Sequence, residues 1–177
     1  IRQKTTHTEE RTLTKEWIPL SSWKAYQVTH SENRPAIPAG STVFNLVPCN
    51  RQLEVAFANF LNRAEDVRAF SKNAGPQALR IDYLTGKNRL AFYTPDFFVR
   101  SKDGTHYLVE TKGQVDQDVP IKGQAAAAWC QSASDSGTRW EYLYVLEGKF
   151  SGFTGSTLDM LKSVCAPDLQ DLLKTAV

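Results

Sequence analysis

With 177 residues, 41% of them apolar, the chain is long enough to bury the core of one domain and carry an attached arm. A net charge of +2 and a pI near 8.4 create no field strong enough to mark a nucleic-acid or membrane partner, so composition is silent on what the chain binds. No run approaches the roughly 20 apolar residues of a membrane span and the opening residues are polar, so a soluble, cytoplasmic protein is expected. Because the chain opens on Ile1 rather than Met, it reads as a piece of something longer. Cys49, Cys130 and Cys165 are odd in number, far apart and set among apolar residues, which predicts buried thiols rather than a disulfide framework or a zinc site. His7, His30 and His106 are too scattered for a histidine metal centre.

Residues 1–16 alternate threonine with charge and offer little to pack, as an arm would. From 17 to 48, prolines, aromatics and Gly40 favour extended segments and turns over helices. Residues 1–48 are therefore an arm with extended segments lying on the main body, 49–177. Asn50 is placed to cap a helix whose buried face is Leu53, Phe57, Phe60, Leu61 and Ala64. After the Ala74-Gly75-Pro76 break, strands are predicted over 79–84, 89–100 and 105–111, the last two joined by a turn through Lys102, Asp103 and Gly104. Pro120 opens a second helix, with Asp118 at its positive end and Ile121, Ala125, Ala128 and Trp129 as its apolar stripe. Residues 140–146 form a buried strand, and helical stretches over 158–164 and again after Pro167 close the chain. The order is helix, three strands, helix, strand.

Chemistry concentrates in Tyr93-Thr94-Pro95-Asp96-Phe97 and Val109-Glu110-Thr111-Lys112-Gly113. If 102–104 is a three-residue loop with Gly104 in the left-handed region, Ser101 pairs with Thr105 and Asp96 falls opposite Glu110. Two carboxylates side by side on neighbouring strands need a cation, and a hard divalent ion with oxygen ligands suits them. Alternation places Lys112 on the face of Glu110, where it can orient or deprotonate a water, while Thr111 points away and offers its backbone carbonyl as a further ligand. Pro95 belongs at a strand distortion, and Glu54 sits at the border of the first helix's buried face, an awkward position for an unpartnered charge.

Pro95-Asp96, Glu110-Thr111-Lys112, the helical Glu54 and the αβββαβ order together resemble the PD-(D/E)xK nuclease superfamily. The likeness is nearest to the C-terminal endonuclease domain of type III restriction enzyme nuclease subunits and related helicase-linked restriction proteins. It runs over about 19–173 and takes in the stretches 44–48, 66–73, 93–97, 110–113 and 127–130. It implies an α/β fold with a restriction-endonuclease-like αβββαβ core, a mixed central sheet flanked by helices, with 49–177 as the nuclease domain. It also implies Mg²⁺, with Mn²⁺ as a substitute, bound by Asp96 and Glu110. Lys112 would serve the nucleophile, Glu54 would assist, and the substrate would be duplex DNA. A helicase or ATPase domain elsewhere, a role in restriction or phage defence, and a dimer for double-strand cleavage belong to the same resemblance.

Gln114, Lys122 and Gln124 are candidate DNA contacts around the start of the second helix, where amide groups favour phosphate. His106 shares the face of Glu110 and reads as a surface histidine or a peripheral member of the site. Gly123 departs from the pattern, since a better helix former is expected there. No phosphate loop, helix-turn-helix or zinc finger is present, so any motor or recognition sequence lies outside the chain. Two other functions fit the same residues: a catalytically silent DNA-binding or scaffold domain, and a structure-selective nuclease of the junction-resolvase type.

Overall fold

The computed structural model describes residues 18–113, 117–134 and 137–175. The predicted arm and Gln114 therefore lie outside the described residues. The first described element is a 3-10 turn, Leu20–Ser22, followed by two short antiparallel strands, β1 (Ala36–Pro38) and β2 (Leu46–Pro48). Then come α1 (Gln52–Arg63), β3 (Val67–Lys72), β4 (Ile81–Leu84), β5 (Leu90–Tyr93), β6 (Phe97–Ser101), β7 (His106–Lys112), α2 (Val119–Ser134) and β8 (Trp140–Leu146). Short α3 (Glu147–Ser151) and long α4 (Leu158–Thr175) complete the chain. The fold is mixed α/β, with a central sheet in the order β3-β6-β7-β8. Its first three strands are antiparallel, and β8 is parallel to β7.

The sheet separates two apolar layers. Val99, Tyr107, Val109 and Val145 point toward α1, where Phe57 and Leu61 are wholly buried. Phe98, Leu108 and Tyr142 point the other way, toward Ala126 and Cys130 of α2. Each fully buried large side chain stabilises the fold by about 1.5–3 kcal/mol, so the two layers carry most of the favourable energy. Leu158, Leu161 and Cys165 belong to the first layer and Leu172 to the second, so α4 joins both. It is one continuous helix with Pro167 inside, where the sequence suggested two stretches. Burial of side chains on both sides of Pro167 outweighs the hydrogen bond that the proline removes. Its first turn is fastened by Asp66, whose carboxylate accepts the backbone N–H of Leu158 (2.7 Å) and Asp159 (2.9 Å).

The strand order differs from expectation in one respect. The first strand of the central sheet is β3, immediately after α1, whereas 79–84 becomes β4 and pairs only with β5. The predicted strand over 89–100 is broken at 94–96 into β5, half of that separate hairpin, and β6, a sheet strand. Pro95 supplies the break, since it cannot donate to a ladder. At the root of the hairpin stands Asn73, 3% exposed. Its Nδ2 donates to the carbonyls of Leu79 (3.0 Å) and Pro95 (2.9 Å), and its Oδ1 accepts the Leu79 N–H (2.8 Å).

The helix details are also corrected. Arg51 rather than Asn50 occupies the N-cap of α1, and no side chain caps it. The buried face of α2 is Val119, Gly123, Ala126 and Cys130, not the stripe of 121, 125, 128 and 129. A run of alanines has no strong periodicity, so packing decides the rotation: at Gly123 a Cβ would stand 2.7 Å from Leu172 Cδ2. The glycine that looked out of place is where α4 meets α2. All three cysteines are buried and free. Among the described residues no helix is long and apolar enough to cross a membrane.

Candidate functional site

The β6–β7 turn sets the site. Ser101 N donates to Thr105 O (2.9 Å), and Gly104 adopts φ +94°, a left-handed conformation that costs a glycine nothing. The resulting register pairs Arg100 with His106 and Phe97 with Val109, and one step further brings Asp96 level with Glu110. Asp96 lies just before β6 but is held on both sides, its N–H on Val109 O (2.9 Å) and its carbonyl on Asn73 N–H (2.8 Å). The distortion at Pro95 therefore leaves Asp96 ordered at the end of the sheet.

Around Asp96 the structure assembles Glu54, Lys72 and Thr111. Lys72 Nζ lies 2.8 Å from Asp96 Oδ1 and 2.9 Å from Glu54 Oε2. The lysine is only 5% exposed, with its ammonium 4.6 Å from the centre of the Phe97 ring. Burial alone would lower its pKa, but the two carboxylates outweigh that and the net direction is up, so it is charged. Asp96 Oδ2 accepts both the Thr111 N–H (2.8 Å) and the Thr111 hydroxyl (2.7 Å). Glu54 Oε2 also accepts the N–H of Asn50 (2.9 Å), so this residue, 6% exposed, is a full member of the cluster. Thr111 points away from Glu110, as alternation requires, but its side chain grips the same aspartate.

Glu110 follows Leu108 onto the α2 face of the sheet. Its Oε2 is buried and has no hydrogen-bond partner. Desolvation, followed by the neighbouring Asp96 charge, pushes its pKa up from 4.5 to about 8, and the charges of Lys112, Lys72 and Lys122 offset only part of that. Glu110 thus ends up on the face opposite Glu54, and Asp96, at the sheet end, links the two. A cleft of about 290 Å³ opens beside Thr111, Glu54 and the first turn of α1, with Gly113 and Glu147 on its far wall.

The outlying candidates have other surroundings. Gln124 Nε2 donates to Leu173 O (3.1 Å), tying α2 to α4. Lys122 Nζ lies 5.9 Å from the centre of the Tyr83 ring. His106, at the start of β7, is some four residues or about 13 Å along the strand from Glu110. It stacks on Trp140 with ring centres 4.9 Å apart, and burial lowers its pKa. It is half-buried against the Trp140 ring and lies away from the site.

No protein-family model matches the chain, and no curated protein matches it. A solved structure to which it is similar is the small subunit of the heterodimeric restriction endonuclease R.BspD6I, at 12% identity and a TM-score of 0.30. That alignment covers 58% of this chain and 57% of the subunit, so the chain spans little over half of its length.

Lys72 is the member that sequence reasoning missed. Its signal was present: once 67–72 is a strand with Phe70 inward, Lys72 falls on the same inward face, and a charge there needs partners. The bulge between Val67 and Ala69 breaks the alternation that would have revealed the strand.

Proposed function

We propose that this chain is a metal-dependent endodeoxyribonuclease domain that hydrolyses DNA phosphodiester bonds at Asp96 and Glu110, with Lys112, Glu54 and Lys72 around them. The observation that carries the reading is Glu110: a buried carboxylate with an unpartnered oxygen, next to a second carboxylate, is a site that a hard cation would complete. The order α1-β3-β6-β7-α2-β8, with the β4–β5 hairpin set aside, supports it, being the αβββαβ order of the superfamily that the motif resembles.

The donors fit Mg²⁺ in number and kind. Among the described residues no group of three or more His, Cys, Asp or Glu stands ready as a metal cage. Magnesium takes one or two carboxylates and completes its shell with water and phosphate oxygens, and Asp96, Glu110 and the Thr111 carbonyl meet that demand. When bound, the ion would acidify a water and neutralise charge building on the phosphoryl group. Thr111 and Lys72 fix the orientation of Asp96 through both of its oxygens. Lys112, on the strand face of Glu110, orients the attacking water and counters the charge that develops on the phosphoryl group.

Plasmid DNA incubated with Mg²⁺ or Mn²⁺ should be cut, and Asp96→Ala, Glu110→Ala and Lys112→Ala should each lower the rate by at least 100-fold. Metal-independent binding with no cut on linear, supercoiled or branched DNA would mark a silent binding domain. Preference for branched over linear duplex would mark a junction-type nuclease. The helicase-linked, phage-defence setting and a dimer for double-strand breaks are proposed on the sequence resemblance, and the mass of the protein bound to duplex DNA tests the dimer.

A further inference from the structure

Lys72 occupies the place between two carboxylates that a cation would take. Two carboxylates, Glu54 and Asp96, converge on its ammonium at 2.9 and 2.8 Å, in a pocket that leaves the lysine 5% exposed. Asp96 Oδ2 already receives two donors from Thr111, and Glu54 Oε2 receives the Asn50 N–H beside Lys72. The amine is also fixed from behind: Lys72 pairs with Phe97 across β3 and β6, and its Nζ lies against that ring. Glu110, in contrast, lies on the opposite face with an oxygen that receives nothing. The centre is therefore divided into one half whose two carboxylates hold a buried ammonium at hydrogen-bond distance and one half whose buried carboxylate oxygen has no hydrogen-bond partner.

We infer that Lys72 is a positioning residue that replaces a second divalent ion, so that the centre takes a single ion, held by Glu110 with Asp96. The inference rests on the metal-dependent reading given above. An ammonium neutralises Glu54 and Asp96 and holds Asp96 at a fixed angle, but it cannot acidify a water as a metal ion does. Activation of the nucleophile is thereby confined to the Glu110–Lys112 side.

The test is a Mn²⁺ titration of the 177-residue chain without DNA, followed by calorimetry and by electron paramagnetic resonance of free Mn²⁺. Wild type should bind one ion. Glu110→Gln should weaken that binding by more than 10-fold. Lys72→Arg, which keeps the charge, should still bind one, whereas Lys72→Met should bind two, the second being lost again in the Glu54→Gln, Lys72→Met double variant. Melting in EDTA checks that each variant folds, and the count on the wild-type chain decides even if Lys72→Met does not. Two ions on the wild-type chain, or one ion of unchanged affinity on a folded Lys72→Met, would overturn the role of Lys72 and leave the nuclease reading standing. A wild-type chain that binds no Mn²⁺ at millimolar concentration would overturn both.

Discussion

Replacing Glu110 by glutamine in the metal-free protein should make it more stable at alkaline pH, an unusual result for a residue proposed to be essential. The folded protein holds the Glu110 proton up to about pH 8, while the unfolded chain releases it near 4.5. Between those two values the unfolded state binds fewer protons, so stability falls as pH rises. Below 4.5 both states are protonated and above 8 both are ionised, and the curve is flat on either side. At roughly 1.4 kcal/mol per pH unit, the rise from 4.5 to about 8 sets a ceiling on the order of 5 kcal/mol. Water entering the site as the carboxylate ionises reduces the measurable loss to about 2–4 kcal/mol. Glutamine keeps the shape and has no charge to bury, so its contribution does not change with pH. Urea unfolding in EDTA at pH 5, 6.5 and 8.5 should give near-equal stabilities at pH 5 and a Glu110→Gln advantage that grows to pH 8.5. A variant no more stable than wild type at pH 8.5 would refute the argument that Glu110 is a desolvated carboxylate awaiting a cation.

Asn73→Ala removes three hydrogen bonds of a buried side chain and should cost about 2–4 kcal/mol in urea unfolding, with faster amide exchange in β4 and β5. Phe57→Ala, at a position with 0% exposure whose ring meets Phe97 with centres 5.3 Å apart, should destabilise by about 3–5 kcal/mol in the same assay. Gly123→Val should cost about 1–3 kcal/mol despite the better helix former, because its side chain meets Leu172, and the further Leu172→Ala change should recover part of that loss.

The legible parts of the sequence were those governed by short-range rules. The turn through Gly104 fixed a register by residue counting, and alternation then placed Asp96 beside Glu110 and turned Thr111 away. The stripe from Leu53 to Ala64 gave α1 for the same reason, its apolar period matching the helix. What stayed hidden depended on contacts distant in the chain. β3 has polar Ser71 and Lys72 in buried positions; the Ser71 hydroxyl is satisfied locally by the Lys72 carbonyl, but Lys72 is explained only by Glu54 and Asp96, both distant in the chain. The hairpin of β4 and β5 has ordinary strand patterning, and nothing local tells whether it joins the central sheet or stands apart from it. The rotation of α2 was set by Leu172, some fifty residues further along. Glu54 was visible as a charge out of place, but its partner was not.

The Asn73 amide closes the 22 residues from 74 to 95 into a loop whose two ends are stitched together at its neck. The base of the hairpin packs into the α2 layer through Ile81 and Tyr93, whereas the turn at its tip projects beyond that contact. Lengthening the turn around 85–89 costs only the slow logarithmic entropy of a longer loop, about 0.6 kcal/mol per doubling. The hairpin tip is therefore the place to graft a fluorophore, an affinity tag or a second binding module, and the place where related chains can differ in size while the chemistry stays where it is.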